Sequence, residues 1–380
     1  MKTLHIIPGI EQISGGPSQV VVDLCSSLNG IGVESHIATT IDPLDRYLLV
    51  DFFKVATKTF FFRRWERKNF AFSKDLESWL QTNIKKYHVV HIHSLFNHPS
   101  YVSGCLARKY KIPYIVRPAG TLSIWADKKL SLRKQIWLNS IEKRNIESAA
   151  LFHATSQQEA EDIYRNTSHE NIQVIPLGIT SSSNIEISRR AKGETLELLF
   201  LSRLHPKKNI EALLRAVKEV LSRKKIVSLK IAGAPDPGME DYEDKLVQLT
   251  KDLGLGSVVK FIGFVQGKEK RQAFKDAHAF ILPSYNENFG VAVAEAWSYG
   301  LPSIISSQVA LAPDVESSKA GIVVKHDDIN DIVNAIEALI EDDDLRSQMS
   351  KNALCLAKKF SLDSTVESLK NTYKSVVDRS

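Results

Sequence analysis

LELLFLSRLHPKKN, residues 196–209, is a largely apolar run of seven residues that ends in a basic, proline-containing turn and opens into a helical pattern. A run apolar on both faces suits a strand buried inside a parallel sheet, and the helix after it supplies the crossover to the next strand. It is also a restart. Before it, LHIIP (4–8), SHIATTI (35–41), VVHIHS (89–94), YIVRP (114–118), LFHATS (151–156) and IQVIP (172–176) alternate with helical patterns such as 19–28, 74–84 and 132–147. After it come SLKIAG (228–233), VVKFIGF (258–264), AFILPS (279–284), PSIIS (302–306) and GIVVK (321–325). Between the two series lies PLGITSSSNIEISRRAKGET (176–195), where apolar periodicity lapses. The expected architecture is therefore α/β, with two doubly wound domains in tandem and ligands at the carboxyl ends of their strands, in a cleft between them. The boundaries expected are 1–178 for the first domain, 179–195 for the linker and 196–363 for the second. A final helix over about 364–380 is expected to pack back on the first domain.

A chain of 380 residues, 43% hydrophobic and 25% charged, is long enough for two or three buried cores and too apolar for a disordered chain. Cys25, Cys105 and Cys355 form no CxxC pair, so neither a disulfide framework nor a cysteine zinc site is expected. The opening MKTLHIIPGIEQ lacks a signal peptide's apolar core, and no stretch of about 18 apolar residues occurs, which points to a cytoplasmic protein that does not span a membrane. Net charge is +6, and the surplus is lopsided: 22 Lys and Arg against 16 Asp and Glu up to residue 178, then 28 against 28.

Three segments carry candidate chemistry. In SYNENFGVAVAEAWSYGLPSI (284–304) a strand ends, a turn follows, and a helix is expected to start with Gly290 in its first turn. The backbone N–H groups of Phe289, Gly290 and Val291 then point at whatever sits above the strand end, a place suited to phosphate. Glu287 and Glu295 are eight residues apart, about 12 Å of helix rise, so both can accept hydrogen bonds from different parts of one polyhydroxylated ligand. In SRLHPKKN (202–209), Arg203 and Lys208 flank a strand-to-helix turn, a fork and a point charge that suit a diphosphate. In GIEQISGGPSQVVVDL (9–24), Gly15 and Gly16 allow close backbone approach, although the spacing matches neither a dinucleotide fingerprint nor a P-loop.

Together, in this order, the three segments resemble the family 4 glycosyltransferases of the GT-B fold, over essentially the whole chain. That resemblance implies two Rossmann-like domains and a retaining, metal-independent transfer of a hexose from a nucleotide-sugar donor. It implies that Glu287 holds the donor sugar, Glu295 the ribose, and Arg203 and Lys208 the diphosphate. Gly263 and Phe264 would meet the nucleobase through backbone groups, with Gly15, Gly16, Asn288, Phe289, Gly290 and Val291 completing the donor site. Glu287, Arg203 and Lys208 are the expected catalytic residues, and His93 and Gly120 the expected acceptor-side ones. One position departs from the family pattern: where a histidine often precedes the glycine, this chain has Ala119.

No metal and no other cofactor is expected, and no Asp-x-Asp sequence occupies a donor-loop position. His91 and His93 share a strand face and His98 follows, but no nearby carboxylate or cysteine completes a zinc set. The segment FFKVATKTFFFRRWERKNFAF (52–72) and the stretch WADKKLSLRKQIW (125–137) interleave aromatics with basic residues. They suggest peripheral contact with an anionic membrane on its inner face, against the plainer alternative of a buried strand, KTFFF, followed by a solvated basic loop. Nucleic acid is not expected, because no recognition motif accompanies the charge. The expected donor is a UDP-sugar such as UDP-glucose, and the acceptor a saccharide or lipid-linked saccharide of an envelope polysaccharide. Two competing functions are a sugar-nucleotide epimerase of the same fold, which would act on donor alone, and an inactive sugar-nucleotide-binding scaffold.

Overall fold

The computed structural model describes residues 1–10, 16–42, 57–65, 70–123, 131–180, 193–236 and 238–379. Gly15, most of the linker, and Arg67, Lys68, Lys128 and Lys129 of the basic stretches lie outside them. The chain divides into two compact units, Met1–Gly178 with Leu362–Ser380, and Ile179–Ser361.

The first unit holds a seven-stranded sheet made of β1 (Lys2–Ile7), β2 (Glu34–Ile41), β3 (Thr59–Arg63), β4 (Val89–His93), β5 (Tyr114–Arg117), β6 (Leu151–Ala154) and β7 (Ile172–Val174). Their order is β3-β2-β1-β4-β5-β6-β7 and every pairing is parallel. Helices α1 (Gly16–Gly30), α2 (Lys74–Asn83), α3 (His98–Lys109), α4 (Leu132–Ile136), α5 (Lys143–Glu147) and α6 (Gln157–Thr167) make the crossovers. Three of them start where their side-chain caps dictate: Ser73, Asn97 and Ser156 each accept a backbone N–H of the first turn.

Two elements differ from the sequence pattern. The helix expected over 132–147 is three pieces, because a π-helical turn at Trp137–Ile141 interrupts it. All of KTFFF but Lys58 lies in edge strand β3, half-buried rather than buried, and its aromatics are used by the fold: Phe60 and Phe62 pack at a tilt on Trp79, and Phe61 packs against the cluster of Ile7, Ile10, Val21 and Ile37 on the other face.

The second unit holds a six-stranded parallel sheet of β8 (Leu196–Leu201), β9 (Val227–Ala232), β10 (Val259–Gly263), β11 (Ala279–Leu282), β12 (Ser303–Ser306) and β13 (Gly321–Val324), ordered β10-β9-β8-β11-β12-β13. Helices α7 (Ile210–Ser222), α8 (Glu240–Asp252), α9 (Gly267–Asp276), α10 (Val291–Ser298), α11 (Ala312–Ser318), α12 (Ile329–Glu341) and α13 (Asp343–Lys359) connect and cover it. The central strands are buried almost end to end: Leu198, Leu199, Phe200, Phe280, Ile281, Ile304 and Ile305 are all 1% exposed or less. Both faces are covered, which is why these strands carry no polar alternation.

The chain then returns to the first unit as α14 (Leu362–Asp378). Val366, Leu369, Tyr373 and Val376 pack with Leu24, Leu28, Ile115 and Leu151 into one cluster, so the last helix completes a core begun at the other end of the chain. Gly178 permits this return, since a Cβ there would lie 2.4 Å from Leu362 Cα.

Candidate functional site

In a doubly wound sheet the loops diverge where the strand order reverses, leaving an opening above the carboxyl ends of two adjacent strands. In the second unit that place is the β8/β11 boundary. The turn after β8 carries Arg203 and Lys208, and the turn after β11 carries Glu287 through Gly290, so sheet topology alone brings the basic turn and the first carboxylate together.

The turns are stitched to each other. Asn209 adopts a left-handed conformation, φ 59°, which asparagine tolerates better than most residues. Its amide donates to the carbonyls of Pro283 (3.2 Å) and His326 (2.7 Å), tying the ends of β11 and β13 to the start of α7. Tyr285 N–H donates to the Lys207 carbonyl at 2.9 Å. Glu287 is fixed through its backbone, its N–H donating to Gln308 O (3.0 Å) and its carbonyl accepting from Ala310 N–H (3.1 Å). His205 caps the short 3₁₀ turn Pro206–Lys208, its Nδ1 accepting from Lys207 N–H at 3.0 Å. Burial lowers the pKa of that imidazole, favouring the neutral form that can accept there.

Every charged residue singled out at this site has a partner of opposite sign. Lys208 Nζ donates to Glu287 Oε1, and the pair is mostly enclosed, with side chains 6% and 16% exposed. Glu295 accepts from Lys270 Nζ of α9 at 2.6 Å. Arg203 Nη1 donates to both carboxylate oxygens of Asp236 at 2.9 and 3.0 Å, with half the Arg203 side chain open to solvent. Burial pulls the pKa of the neighbouring Lys207 down, against Glu287, which raises it.

Gly290 is the cap of α10 and precedes its first turn, at φ 92°. A Cβ there would also press on Val309 and Val293 at 3.2 and 3.3 Å, so glycine is required both by backbone and by space. The N–H groups of Phe289, Gly290 and Val291 have no hydrogen-bond acceptor among the described residues, as expected for an open helix start. Gly263 ends β10, two strand spacings or roughly 10 Å across the sheet from β8. It turns at φ 66°, and Phe264 beyond it is half exposed. Lys270 and Asp236 were not among the residues expected from sequence. A signal for Asp236 was available, since it closely follows the end of β9 just as Arg203 follows β8; none marked Lys270, a lysine on a charged helix.

The first unit presents different chemistry at its own reversal, β1/β4. Gly16 opens α1 after β1. His93 ends β4 but is only 1% exposed, lying inside a layer of imidazoles. His5 Nδ1 and His93 Nε2 are 3.0 Å apart, His91 Nδ1 meets the Tyr373 hydroxyl at 2.7 Å, and His153 Nε2 reaches the Ile175 carbonyl at 2.8 Å. Burial is the leading cause that pushes all four imidazoles down, His5 and His153 to about 3, so they are neutral at physiological pH. His5, His91 and His93 offer ring nitrogens within 4.8 Å of one another, a spacing a metal could use. The buried guanidinium of Arg117 lies close enough to depress their protonation, and the same positive charge works against a bound cation. The strand pattern showed His91 and His93 together; His5 joins them only because β1 pairs with β4, opposite His91. Gly120 follows Ala119 in a turn where both have positive φ, 53° and 79°, and the Gly120 N–H donates to Glu159 Oε1 at 2.8 Å.

Several basic residues of the first unit serve the fold itself. Arg64 donates to Thr40 Oγ1 and to the Pro8 carbonyl, and Lys134 donates to the Thr121 carbonyl and sits over the Phe96 ring. Trp65, Leu132 and Ile136 are all more than half exposed. No helix among the described residues is long and apolar enough to cross a membrane.

Two family models cover nearly the whole chain in succession. Residues 14–182 match Glycosyltransferase Family 4 and residues 182–354 match Glycosyl transferases group 1. The D-inositol 3-phosphate glycosyltransferase of Corynebacterium jeikeium is 27% identical over 321 residues, 80% of this chain and 76% of that protein. HepE of Anabaena, solved in complex with UDP and glucose, superposes with a TM-score of 0.79 at 19% identity over 99% of this chain and 100% of its own. WaaG, a glycosyltransferase involved in lipopolysaccharide biosynthesis, gives a TM-score of 0.70 at 17% identity over 98% and 99%. The two consecutive matches, on two parallel-sheet Rossmann-like units, place the chain in the family 4, group 1 glycosyltransferases of the GT-B fold.

Proposed function

We propose that this glycosyltransferase moves a hexose from a UDP-sugar, UDP-glucose foremost, to a saccharide or lipid-linked saccharide in envelope polysaccharide synthesis. The observation that carries the donor site is the convergence of Arg203, the Lys208–Glu287 pair and the open start of α10 at the β8/β11 reversal. Two cations and a set of unpaired N–H groups form an anion site without a metal, and a carboxylate beside them accepts from sugar hydroxyls. Gly263 and Phe264 lie about a nucleoside's length across the same sheet edge, and Glu295 lies further along α10, where a ribose can reach it. Anabaena HepE, similar in fold and solved with UDP and glucose, supports this choice of donor.

The chemistry follows from charge. As the bond from the anomeric carbon to the leaving phosphate breaks, negative charge grows on the phosphate and positive character on the sugar. Arg203, Lys208 and the α10 start stabilise the first, and Glu287 faces the second. The acceptor oxygen bonds the anomeric carbon on the face the phosphate leaves, its proton passes to that phosphate, and configuration is retained. With Ala119 in place of a histidine and the Gly120 N–H already engaged by Glu159, the leaving phosphate is the base of this scheme. The exposed Trp65, Leu132 and Ile136 suit an enzyme that works in the cytoplasm against the inner face of a membrane.

Turnover of UDP-glucose with Arg203→Ala tests the assignment. A loss of about 100- to 1,000-fold is expected, the usual effect of removing one preorganised donor. Unchanged turnover at saturating donor overturns it. Product from donor alone, without an acceptor, would indicate an epimerase instead.

A further inference from the structure

Tyr114, Leu151 and Ile172 are the first residues of β5, β6 and β7, and they line a groove of about 620 Å³ that runs across the amino ends of these three neighbouring strands. Gly16, His93 and Gly120 all lie at the opposite, carboxyl end of the sheet, beyond strands of four residues, roughly 13 Å away. The groove is therefore separate from the ligand end of its own unit, and its volume is in the range of small-molecule sites.

Its lining is chemically one-sided. Arg108 and Lys111 at the end of α3 and Arg379 after α14 supply three cations, and no carboxylate among the described residues lines it. Arg108 lies in the field of the buried Glu142 carboxylate behind the wall, whereas Lys111 and Arg379 form no ion pair among the described residues. Asn171, Gln173 and Ser375 line it as uncharged hydrogen-bonding groups. Arg108 is held in place, its Nε donating to Asn145 Oδ1 at 3.0 Å. On an ordinary solvated face cations alternate with acids, as around Lys225, Lys230 and Arg223 in this same chain. Here, among the described residues, the concave walls carry no acid. Exposed cations such as Lys111 and Arg379 call for an anion, and amides and hydroxyls on the same wall call for a ligand dense in hydroxyl groups.

We infer that this groove is a second binding site, for an acidic saccharide: a polyhydroxylated ring bearing phosphate or carboxylate. Its position makes it a place where such a sugar anchors at the amino ends of the first sheet, opposite that sheet's own carboxyl ends. The inference does not depend on the identity of the donor.

Calorimetry on the full chain tests it with four probes: glucose 1-phosphate, tetragalacturonate, inorganic phosphate and maltotetraose. Glucose 1-phosphate or tetragalacturonate should bind, about tenfold or more tighter than maltotetraose, and more weakly as salt rises. The better of the two identifies phosphate or carboxylate as the anion. The double variant K111Q/R379Q, which changes two exposed side chains without an ion pair among the described residues, should keep its melting temperature and lose about tenfold in that affinity. Binding of neither acidic sugar, or binding unchanged in the variant, overturns the site. Inorganic phosphate binding as tightly as glucose 1-phosphate overturns its saccharide character.

Discussion

The two sheets solve the same topological problem with opposite electrostatics. At the β1/β4 reversal the first unit buries four imidazoles on and around the paired strands, neutral and bonded largely to one another and to Tyr373. At the β8/β11 reversal the second unit gathers cations and carboxylates from separate turns and helices, one pair mostly enclosed and two partly open. The difference teaches what each layer can do. A neutral, closed layer sets geometry and costs stability when it is forced to charge; an open layer of opposed charges can exchange one partner for a ligand.

The sharpest test of the charged layer is Lys208→Ala. It removes a cation from the proposed leaving group and strands Glu287 beside the mostly enclosed site. Turnover should fall about 100- to 1,000-fold. Stability in urea should fall by about 3 kcal/mol, the lower end for breaking a buried pair, because Glu287 keeps some access to water. Adding Glu287→Gln should restore much of the stability and none of the turnover. If the single variant is as stable as the parent, the pair is an ordinary surface contact.

The neutral layer is tested by acid. The folded-state pKa of His5 and of His153 is about 3, below the ordinary value of 6.5, so protons bind the unfolded chain first. Their contribution is complete above pH 6.5 and is lost as pH falls from there toward 3. By pH 5 the loss is about 2 kcal/mol for each group that titrates independently. Thermal melts from pH 8 to pH 5 should therefore be flat and then fall, and His153→Gln should flatten the fall. A melting temperature that does not change down to pH 5 would show that the layer can charge without penalty.

A smaller effect separates Glu295 from its lysine. Glu295→Ala should weaken UDP binding about tenfold, as loss of hydrogen bonds between a charged group and ribose would. Lys270→Ala should cost at most about fivefold, since a partly exposed pair contributes about 1 kcal/mol or less. Equal losses in the two variants, read by calorimetry, would make Lys270 a direct ligand contact.

The smallest effect concerns the surface of the first unit. With Arg64 and Lys134 engaged in the fold, Leu132→Ser with Ile136→Ser should reduce co-sedimentation with anionic vesicles more than Arg64→Gln does. The reverse order would return the attraction to charge.

The fold was legible in the sequence because buried parallel strands announce themselves as short apolar runs, and the twelve such runs read from it, alternating with helical patterns, leave few alternatives to two doubly wound sheets. Strand β3 was harder, since an edge strand with two differently used faces reads as a mixed aromatic and basic segment. At the site, the residue types and turns were legible too: Arg203 after β8, Gly290 before α10, and carboxylates eight residues apart.

Their partners were not. Lys208 meets Glu287 across 79 residues, Lys270 meets Glu295 across 25 and Arg203 meets Asp236 across 33. His5 joins His91 because β4 inserts beside β1 after two other strands have been laid down. The amino-acid sequence by itself determined the strands, the turns and the side chains each turn would carry, because those depend on neighbours a few residues away. Which charge faces which, and which histidines go dark together, was decided only by the order of strands in the closed sheets, where packing over both faces brings distant segments to one edge and burial then selects the protonation state.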